Sequence, residues 1–131
     1  MGLARAFFHS LVHLSLALFV FFLFSLRSEH FLLVLLASAL IDLDHLPLLL
    51  RKGINYWIEI SWKRQKPQAY PLHNFITMSL FFALSSFIFV QPLFLVGILS
   101  LCIFLHLAWD LFEDVFIFKI GIEHWKCGRW I

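Results

Sequence analysis

Four apolar runs, each long enough to cross a lipid bilayer as a helix, dominate this sequence. They extend over Ala6–Leu26, Phe31–Leu50, Pro71–Gln91 and Leu93 to about Phe118. A spanning helix needs about 20 predominantly apolar residues. Hydrophobic residues make up 62% of the chain and charged residues 14%, whereas soluble domains are about half apolar and a quarter charged. This composition excludes an ordinary soluble domain, a disordered chain and a basic nucleic-acid-binding module.

The spacing of the runs predicts an all-α membrane protein with a single integral membrane domain over residues 1–131. We expect a four-transmembrane-helix bundle made of two helical hairpins, because the connections after the first and third runs are short. The predicted helices cover about residues 6–26, 31–46, 71–91 and 93–118. The link between the hairpins, residues 51–70, is long.

This link carries its own amphipathic pattern. Apolar residues recur in it at helical spacing, and polar residues such as Asn55, Glu59 and Lys63 occupy another face. A helix with one apolar and one polar face typically lies in the membrane interface. We therefore predict an interfacial amphipathic helix between the second and third spanning helices.

Lysine and arginine are distributed unevenly between the two sides of the predicted bundle. Nine of the ten Lys and Arg residues fall on the side that holds both termini and the 51–70 link, and Arg27 alone falls on the other side. Cytoplasmic loops carry an excess of Lys and Arg. The pattern predicts an integral cell-membrane protein with both termini in the cytoplasm.

Ionisable residues occur inside the apolar runs, where they are costly and indicate function by default. At a rise of about 1.5 Å per residue, they lie roughly 20 to 29 Å from the non-cytoplasmic side. This depth predicts one polar layer in the cytoplasmic half, to which all four helices contribute. Its members are His9, His13, Asp42, Asp44, His45, His73, His106 and Asp110.

Helical spacing groups most of this layer on common faces. His9 and His13 are four residues apart, as are His106 and Asp110, so each pair shares a helix face. Asp44 would point away from Asp42 in an unbroken helix. Pro47 follows closely and disfavours the α conformation at the residue before it. A loosened helix there would turn Asp44 inward; otherwise Asp44 has a supporting or structural role.

Charge balance indicates a metal. The layer and its edge hold the four carboxylates Asp42, Asp44, Asp110 and Glu113, and the four apolar runs contain no Lys or Arg. Buried carboxylates have to be paired, protonated or bound to metal, and protonated histidines or protonated acids are the alternative source of part of this compensation. Histidine and carboxylate together form a typical zinc ligand set, and an open coordination position makes such a site catalytic.

We predict a divalent metal, Zn²⁺ before others, and the number of candidate ligands allows more than one ion. Asp44 and Glu113 are predicted as catalytic residues, either as a general base or as additional ligands. The predicted metal ligands are His9, His13, Asp42, His45, His73, His106 and Asp110.

Four segments resemble the membrane-bound, predicted metal-dependent hydrolases typified by the bacterial YdjM and YbcI proteins. The segments are His9-Ser-Leu-Val-His13, Leu40-Ile-Asp-Leu-Asp-His45, Pro71-Leu-His-Asn74 and His106-Leu-Ala-Trp-Asp110. They are closest to a small uncharacterised branch with HxxxH, DLDH, PLH and HxxxD motifs. The resemblance covers roughly residues 6 to 115 and implies a membrane hydrolase that uses metal.

The chain departs from this pattern just before His73. The larger family carries a His-Arg pair where this chain has Gln68-Ala69, and the closer branch has a His where this chain has Tyr70. A ligand and an anion-binding arginine are therefore missing. Lys63 and Arg64 are the candidates for binding an anionic substrate group in their place.

The function that follows is hydrolysis of an ester or phosphoester by metal-activated water. The depth of the layer favours a lipid or another membrane-associated substrate, and nothing indicates nucleic acid or requires an oligomer. Two alternatives use the same residues. One is a transporter or channel for metal ions or protons, and the other is a structural metal site.

Overall fold

The computed structural model of this chain describes residues 2–53, 71–119, 121–122 and 125–126. These residues form helices, turns and bends, with no β-strand among them, which confirms the all-helical prediction for this part of the chain. The predicted interfacial helix lies outside the described residues beyond Gly53, and so do Lys63 and Arg64. The α-helices are α1 (Gly2–Leu23), α2 (Phe31–Leu40), α3 (Leu46–Lys52), α4 (Phe75–Ser85) and α5 (Phe94–Phe112).

Short segments of tighter or wider helix join or extend these helices. Three of them are 3₁₀ helices, at Ser28–His30, Ile41–His45 and Ser86–Phe89. The fourth is a π-helical turn over Glu113–Ile117, closed by the bond of 2.8 Å that the amide of Phe118 donates to the carbonyl of Glu113. The second predicted span is therefore divided at residues 41–45 into α2 and α3.

One helical stretch among the described residues, Phe94–Ile117, is long and apolar enough to cross a membrane. Phe7–Leu23 and Phe75–Phe89 are shorter apolar helices. The structure thus confirms an all-helical fold and one helix of membrane-crossing length among the described residues, and the four-span bundle stays a prediction.

Helix α5 is the central element, since it contacts α1, α2, α4 and the 3₁₀ segment at Ser86–Phe89. The close approach to that segment depends on Gly97. A Cβ at this position would collide with the backbone of Phe87 and Ile88. Glycine therefore lets α5 pack directly against the chain that precedes it.

A Gly97→Ala substitution is expected to lower the free energy of unfolding by about 1–3 kcal/mol, the usual cost of overpacking. Denaturant unfolding of the protein in detergent measures this change. Val96→Leu is the matched control, because it adds a carbon on the same helix at a side chain that is 45% exposed. An unchanged unfolding midpoint for Gly97→Ala would contradict the close packing.

Each of the three main packed helices changes from apolar to polar along its buried face. On α5, Ile98 and Cys102 are followed at four-residue steps by His106 and Asp110, and all four are buried. On the buried face of α1 the order is reversed, with polar residues before apolar ones along the chain. The buried face of α2 ends at the polar residues of the 3₁₀ segment. The polar residues consequently collect at one end of the core formed by Ala17, Val20, Val34, Ala37, Ile41, Ile98, Cys102, Ile103 and Leu107.

The outward faces of the helices are also apolar. Large hydrophobic side chains are exposed on every long helix, among them Phe22 on α1, Leu32 on α2, Ile76 on α4 and Val96 on α5. Soluble monomers rarely expose extensive apolar surface. This exterior is a second property, besides the length of α5, that the chain shares with membrane proteins.

Candidate metal centre

Helices α1 and α5 contribute two polar side chains each, at the spacing that the sequence predicts. His9 and His13 lie one turn apart on α1, and His106 and Asp110 lie one turn apart on α5. The rings of His13 and His106 stack with their centroids 3.7 Å apart. The two helix faces therefore meet at the polar end of the core.

The segment Ile41–His45 contributes Asp42, Asp44 and His45 from a 3₁₀ helix. Leu46 keeps α-helical angles (φ −58°, ψ −43°), so the expected effect of Pro47 on the residue before it is wrong. The change of winding is instead consistent with the missing amide donor of Pro47 and the clash of its ring with the carbonyl four residues earlier. A 3₁₀ helix has three residues per turn, so the side chains of Asp42 and His45 lie on the same face. The angle about the helix axis between Asp42 and Asp44 is also smaller than in an α-helix. The side chain of Asp44 is 3% exposed, so the helix does turn it inward.

His73 lies in the bend that leads into α4. Asn74 fixes this bend, because its side-chain oxygen accepts a bond of 2.9 Å from the amide of Thr77 and caps α4. The amide nitrogen of the same side chain donates to the carbonyl of Pro71 at 2.5 Å. With the bend fixed, the His73 ring reaches the residues of the other helices and is buried.

A four-residue group, Asp42, His73, His106 and Asp110, brings four potential ligand atoms within 4.8 Å of one another. Nε2 of His106 is 3.3 Å from Oδ1 of Asp42 and 3.3 Å from Oδ2 of Asp110. Nε2 of His73 is 3.0 Å from the same Asp110 oxygen and 3.8 Å from Oδ1 of Asp42. Ligand atoms on one tetrahedral zinc ion, at bonds of about 2.0–2.1 Å, lie roughly 3.3 Å apart. The group can hold a metal ion.

A three-residue group, His9, His13 and Asp110, lies on the other side of Asp110. Nε2 of His13 is 3.3 Å from Oδ1 of Asp110, and Nε2 of His9 is 3.7 Å from the same oxygen. The Nε2 atoms of the two histidines are 3.0 Å apart. This group too can hold a metal ion.

Asp44 orients His73 from outside the four-residue group. Its Oδ2 atom is 3.0 Å from Nδ1 of His73 and accepts a bond of 2.8 Å from the amide of Leu72. Histidines that bind metal usually donate their other ring N–H to a carboxylate in this way. His45 lies beside this pair, 3.5 Å from Oδ1 of Asp44, with its ring stacked on His73 at 4.9 Å.

Glu113 has the same relation to His9. One of its oxygens is 2.9 Å from Nδ1 of His9, and the other accepts a bond of 2.9 Å from the indole N–H of Trp109. Glu113 is buried at the start of the π-helical turn. Such turns occur frequently at functional sites, and here the turn begins at a residue that supports the polar cluster.

Two further side chains near the cluster were not predicted from the sequence as part of a site. Trp125 is 1% exposed, its ring centroid is 6.2 Å from that of His73, and its N–H donates to Asp114 at 3.0 Å. Trp109 lies one turn before Glu113 and donates to it at 2.9 Å. No local pattern marks Trp125, because its contacts depend on where the chain folds after residue 119.

Several buried polar atoms of the cluster have no hydrogen-bond partner among the described residues. They include both ring nitrogens of His106, Nδ1 of His13, Oδ1 of Asp44 and Oδ1 of Asp110. Buried polar atoms are nearly always paired, and an exception calls for a specific cause such as an ion. Nε2 of His106 and Oδ1 of Asp110 both face other potential ligand atoms.

The structure thus brings together every predicted site residue in its described part. Six of them form the two groups described above, Asp44 and His45 form a third group of potential ligands with His73, and Glu113 contacts His9. Lys63 and Arg64 lie outside the described residues. Access differs within the cluster: the side chain of Asp42 is 40% exposed and that of Asp110 is 3% exposed.

Comparisons with family models, with curated proteins and with solved structures find no match to this chain. Its function has to be inferred from the residues of the cluster.

Proposed function

We propose that this chain is a membrane-embedded, metal-dependent hydrolase that acts on an ester or phosphoester of a lipid or membrane-associated substrate. The observation that carries the proposal is the position of His106. Its Nε2 atom is buried, lacks a hydrogen-bond partner among the described residues, and lies 3.3 Å from each of two carboxylate oxygens. This ring nitrogen and the two carboxylate oxygens form a ligand set for a cation, and one of the oxygens, Oδ2 of Asp110, also lies at hydrogen-bond distance from Nε2 of His73, 3.0 Å away.

Charge supports a resident cation. Asp110 and Glu113 are buried, as are the side chains of Asp44 and His73. No Lys or Arg occurs in the apolar runs that carry them. The described partners of these carboxylates are histidine, amide and indole groups. A buried carboxylate without a compensating cation is strongly unfavourable, and a divalent ion in the four-residue group compensates the carboxylates directly.

Zinc is the metal we favour, because two histidines and two carboxylates match its usual nitrogen and oxygen ligands. When bound, such an ion activates water as a nucleophile and polarises an ester or phosphoester oxygen. Asp42 is the most exposed carboxylate of the group, so substrate is expected to approach on its side. Among the described residues, the core beyond the cluster is mainly apolar, with Val20, Val34 and Ile98, and Ser38 and Ser100 are its small polar side chains. This favours an enzyme over a channel.

The contacts of Asp44 and Glu113 favour supporting roles over the general-base role expected from the sequence. Each carboxylate accepts a hydrogen bond from a histidine and from a second donor, the amide of Leu72 for Asp44 and the indole of Trp109 for Glu113. Such carboxylates fix the tautomer and ring orientation of a ligand histidine.

Asp44→Ala is expected to weaken zinc affinity by about 10- to 100-fold, the usual effect of removing a carboxylate that orients a ligand histidine. A competition titration against a chelating dye measures the affinity. Asp114→Ala is the matched control, because Asp114 is also a buried carboxylate but contacts Trp125. Equal affinity of Asp44→Ala and the wild type would exclude this role.

A membrane location is supported by the apolar exterior and by the stretch Phe94–Ile117, and the four-span arrangement with both termini in the cytoplasm is part of the proposal. The orientation rests on the distribution of Lys and Arg. A reporter that works only in the cytoplasm is expected to be active when it is fused after Ile131. Activity of a reporter that works only outside the cytoplasm, fused at the same position, would reverse the orientation.

The substrate class rests on chemistry and on motif resemblance. The four motifs similar to the YdjM and YbcI proteins support a hydrolase, and the basic residues Lys63 and Arg64 of the link suit an anionic headgroup near the membrane surface. A lipid phosphoester has both a hydrolysable bond and an anionic headgroup, so it is the substrate that we consider first.

A hydrolysis screen in mixed micelles tests the function. We expect zinc-loaded protein to release product from a lipid phosphoester or a lipid carboxyl ester. A chelator and the His106→Ala variant should each abolish this release. His30→Ala is the matched control, because His30 lies in the turn before α2, away from the cluster. Failure of the zinc-loaded wild type to hydrolyse any lipid ester or phosphoester in the screen would contradict the proposal.

A further inference from the structure

We infer that the centre binds two divalent ions, the second held by His9, His13 and Asp110, with Asp110 bridging the two sites. This inference deepens the proposed function and rests on it. If only the four-residue group bound metal, the chain would hold one ion. The second group has its own ligand atoms, and it shares only one residue with the first.

The two carboxylate oxygens of Asp110 face different groups. Oδ2 is 3.0 Å from Nε2 of His73 and 3.3 Å from Nε2 of His106. Oδ1 is 3.3 Å from Nε2 of His13, 3.7 Å from Nε2 of His9, and has no hydrogen-bond partner among the described residues. A single ion uses one of these faces and leaves the other carboxylate oxygen buried beside two histidines.

Glu113 fixes which ring nitrogen of His9 faces a second ion. Because Nδ1 of His9 donates to Glu113, the neutral ring has its lone pair on Nε2. That lone pair points towards Nε2 of His13 at 3.0 Å and Oδ1 of Asp110. Glu113 thus supports His9 as Asp44 supports His73, so each group has one histidine oriented by a carboxylate outside it.

The stacked rings of His13 and His106 indicate two neighbouring sites. Their centroids are 3.7 Å apart and their planes differ by 23°, while their Nε2 atoms face different oxygens of Asp110. Paired catalytic ions lie about 3.5–4 Å apart and stabilise both the attacking and the leaving oxygen of a displacement. This property favours a phosphoester among the proposed substrates.

The two sites differ in their protein ligands. The four-residue group supplies four ligand atoms, enough for a tetrahedral ion, whereas the three-residue group supplies three and leaves a position open. The side chain of His9 is 27% exposed, so this group is not sealed on the α1 side. The second ion is therefore the one we expect to bind more weakly.

Zinc titration of chelator-stripped, detergent-purified protein tests the inference without an activity measurement. We expect two ions per chain in the wild type, one in a His9→Ala, His13→Ala double variant, and two in the His30→Ala control. His106→Ala should weaken the tighter of the two sites. Thermal unfolding of each variant shows whether it is folded before its ions are counted.

The number of zinc ions bound per wild-type chain shows whether the inference alone fails or the proposed function fails with it. One ion per chain that is insensitive to the double substitution in α1 overturns the second site and leaves the proposed function standing. Three ions would require the group formed by Asp44, His45 and His73 to bind, and would also overturn the inference. No bound ion at saturating zinc contradicts both the inference and the proposed function.

Discussion

An Asp110→Ala variant is expected to lose bound metal entirely, to lose hydrolysis, and to be less stable than the wild type by about 3–5 kcal/mol, the usual cost of removing one partner from a buried ion pair. Asp110 is 2% exposed and belongs to both groups. Its removal leaves His13, His73 and His106 without their shared carboxylate. Elemental analysis measures the bound metal, the mixed-micelle screen measures hydrolysis, and denaturant unfolding in detergent measures the stability.

A carboxylate outside the cluster provides the control for this variant. Glu29 is exposed and pairs with Arg27 at 3.3 Å in the turn between α1 and α2, so Glu29→Ala should leave metal content and stability close to wild type. Asp110→Asn keeps the volume of the side chain and removes its charge, so this variant separates the effect of charge from the effect of shape. Full metal content in Asp110→Ala would show that the two groups do not bind through this residue.

Removal of metal from the wild type is expected to lower its thermal unfolding temperature strongly. Binding to the folded state alone stabilises it by about 4.1 kcal/mol when free metal is a thousandfold above the dissociation constant. The buried carboxylates lose their compensating cation at the same time. Tryptophan fluorescence during heating is a suitable signal, because Trp125 packs near His73 and Trp109 donates to Glu113.

The variant His106→Ala separates this effect from damage by the chelator itself. A chelator should shift the unfolding temperature of the wild type and shift that of His106→Ala much less, because the four-residue group is already incomplete in the variant. Re-addition of zinc should restore the wild type. An unfolding temperature that is the same with and without bound metal would contradict the coupling of metal to stability.

Much of the candidate site follows from helical periodicity. His9 and His13, and likewise His106 and Asp110, share helix faces because they are four residues apart. Depth along the helices also predicts that both pairs lie level with Asp42. These features depend on regular helix geometry, which an apolar run enforces, and the structure brings these residues together.

The remaining features depend on departures from regular geometry and on tertiary contacts. Spacing alone points Asp44 away, and only the 3₁₀ winding before Pro47 turns it towards His73. The contact of Glu113 with His9 depends on the packing of α1 against α5, whereas Trp109 donates to Glu113 from one turn earlier in the same helical stretch. Trp125 contacts the cluster from near the end of the chain, and no periodic pattern in the sequence predicts such a contact.

The most direct test of the central claim, that the buried histidines and carboxylates form a metal centre, is the metal content of detergent-purified wild type and His106→Ala compared side by side. Nε2 of His106 has two carboxylate oxygens at 3.3 Å and no hydrogen-bond partner among the described residues. The wild type is predicted to retain at least one transition-metal ion per chain after dialysis, and His106→Ala, although folded, to retain less. Metal-free wild type that stays metal-free after incubation with zinc, or equal metal content in both proteins, would contradict the account.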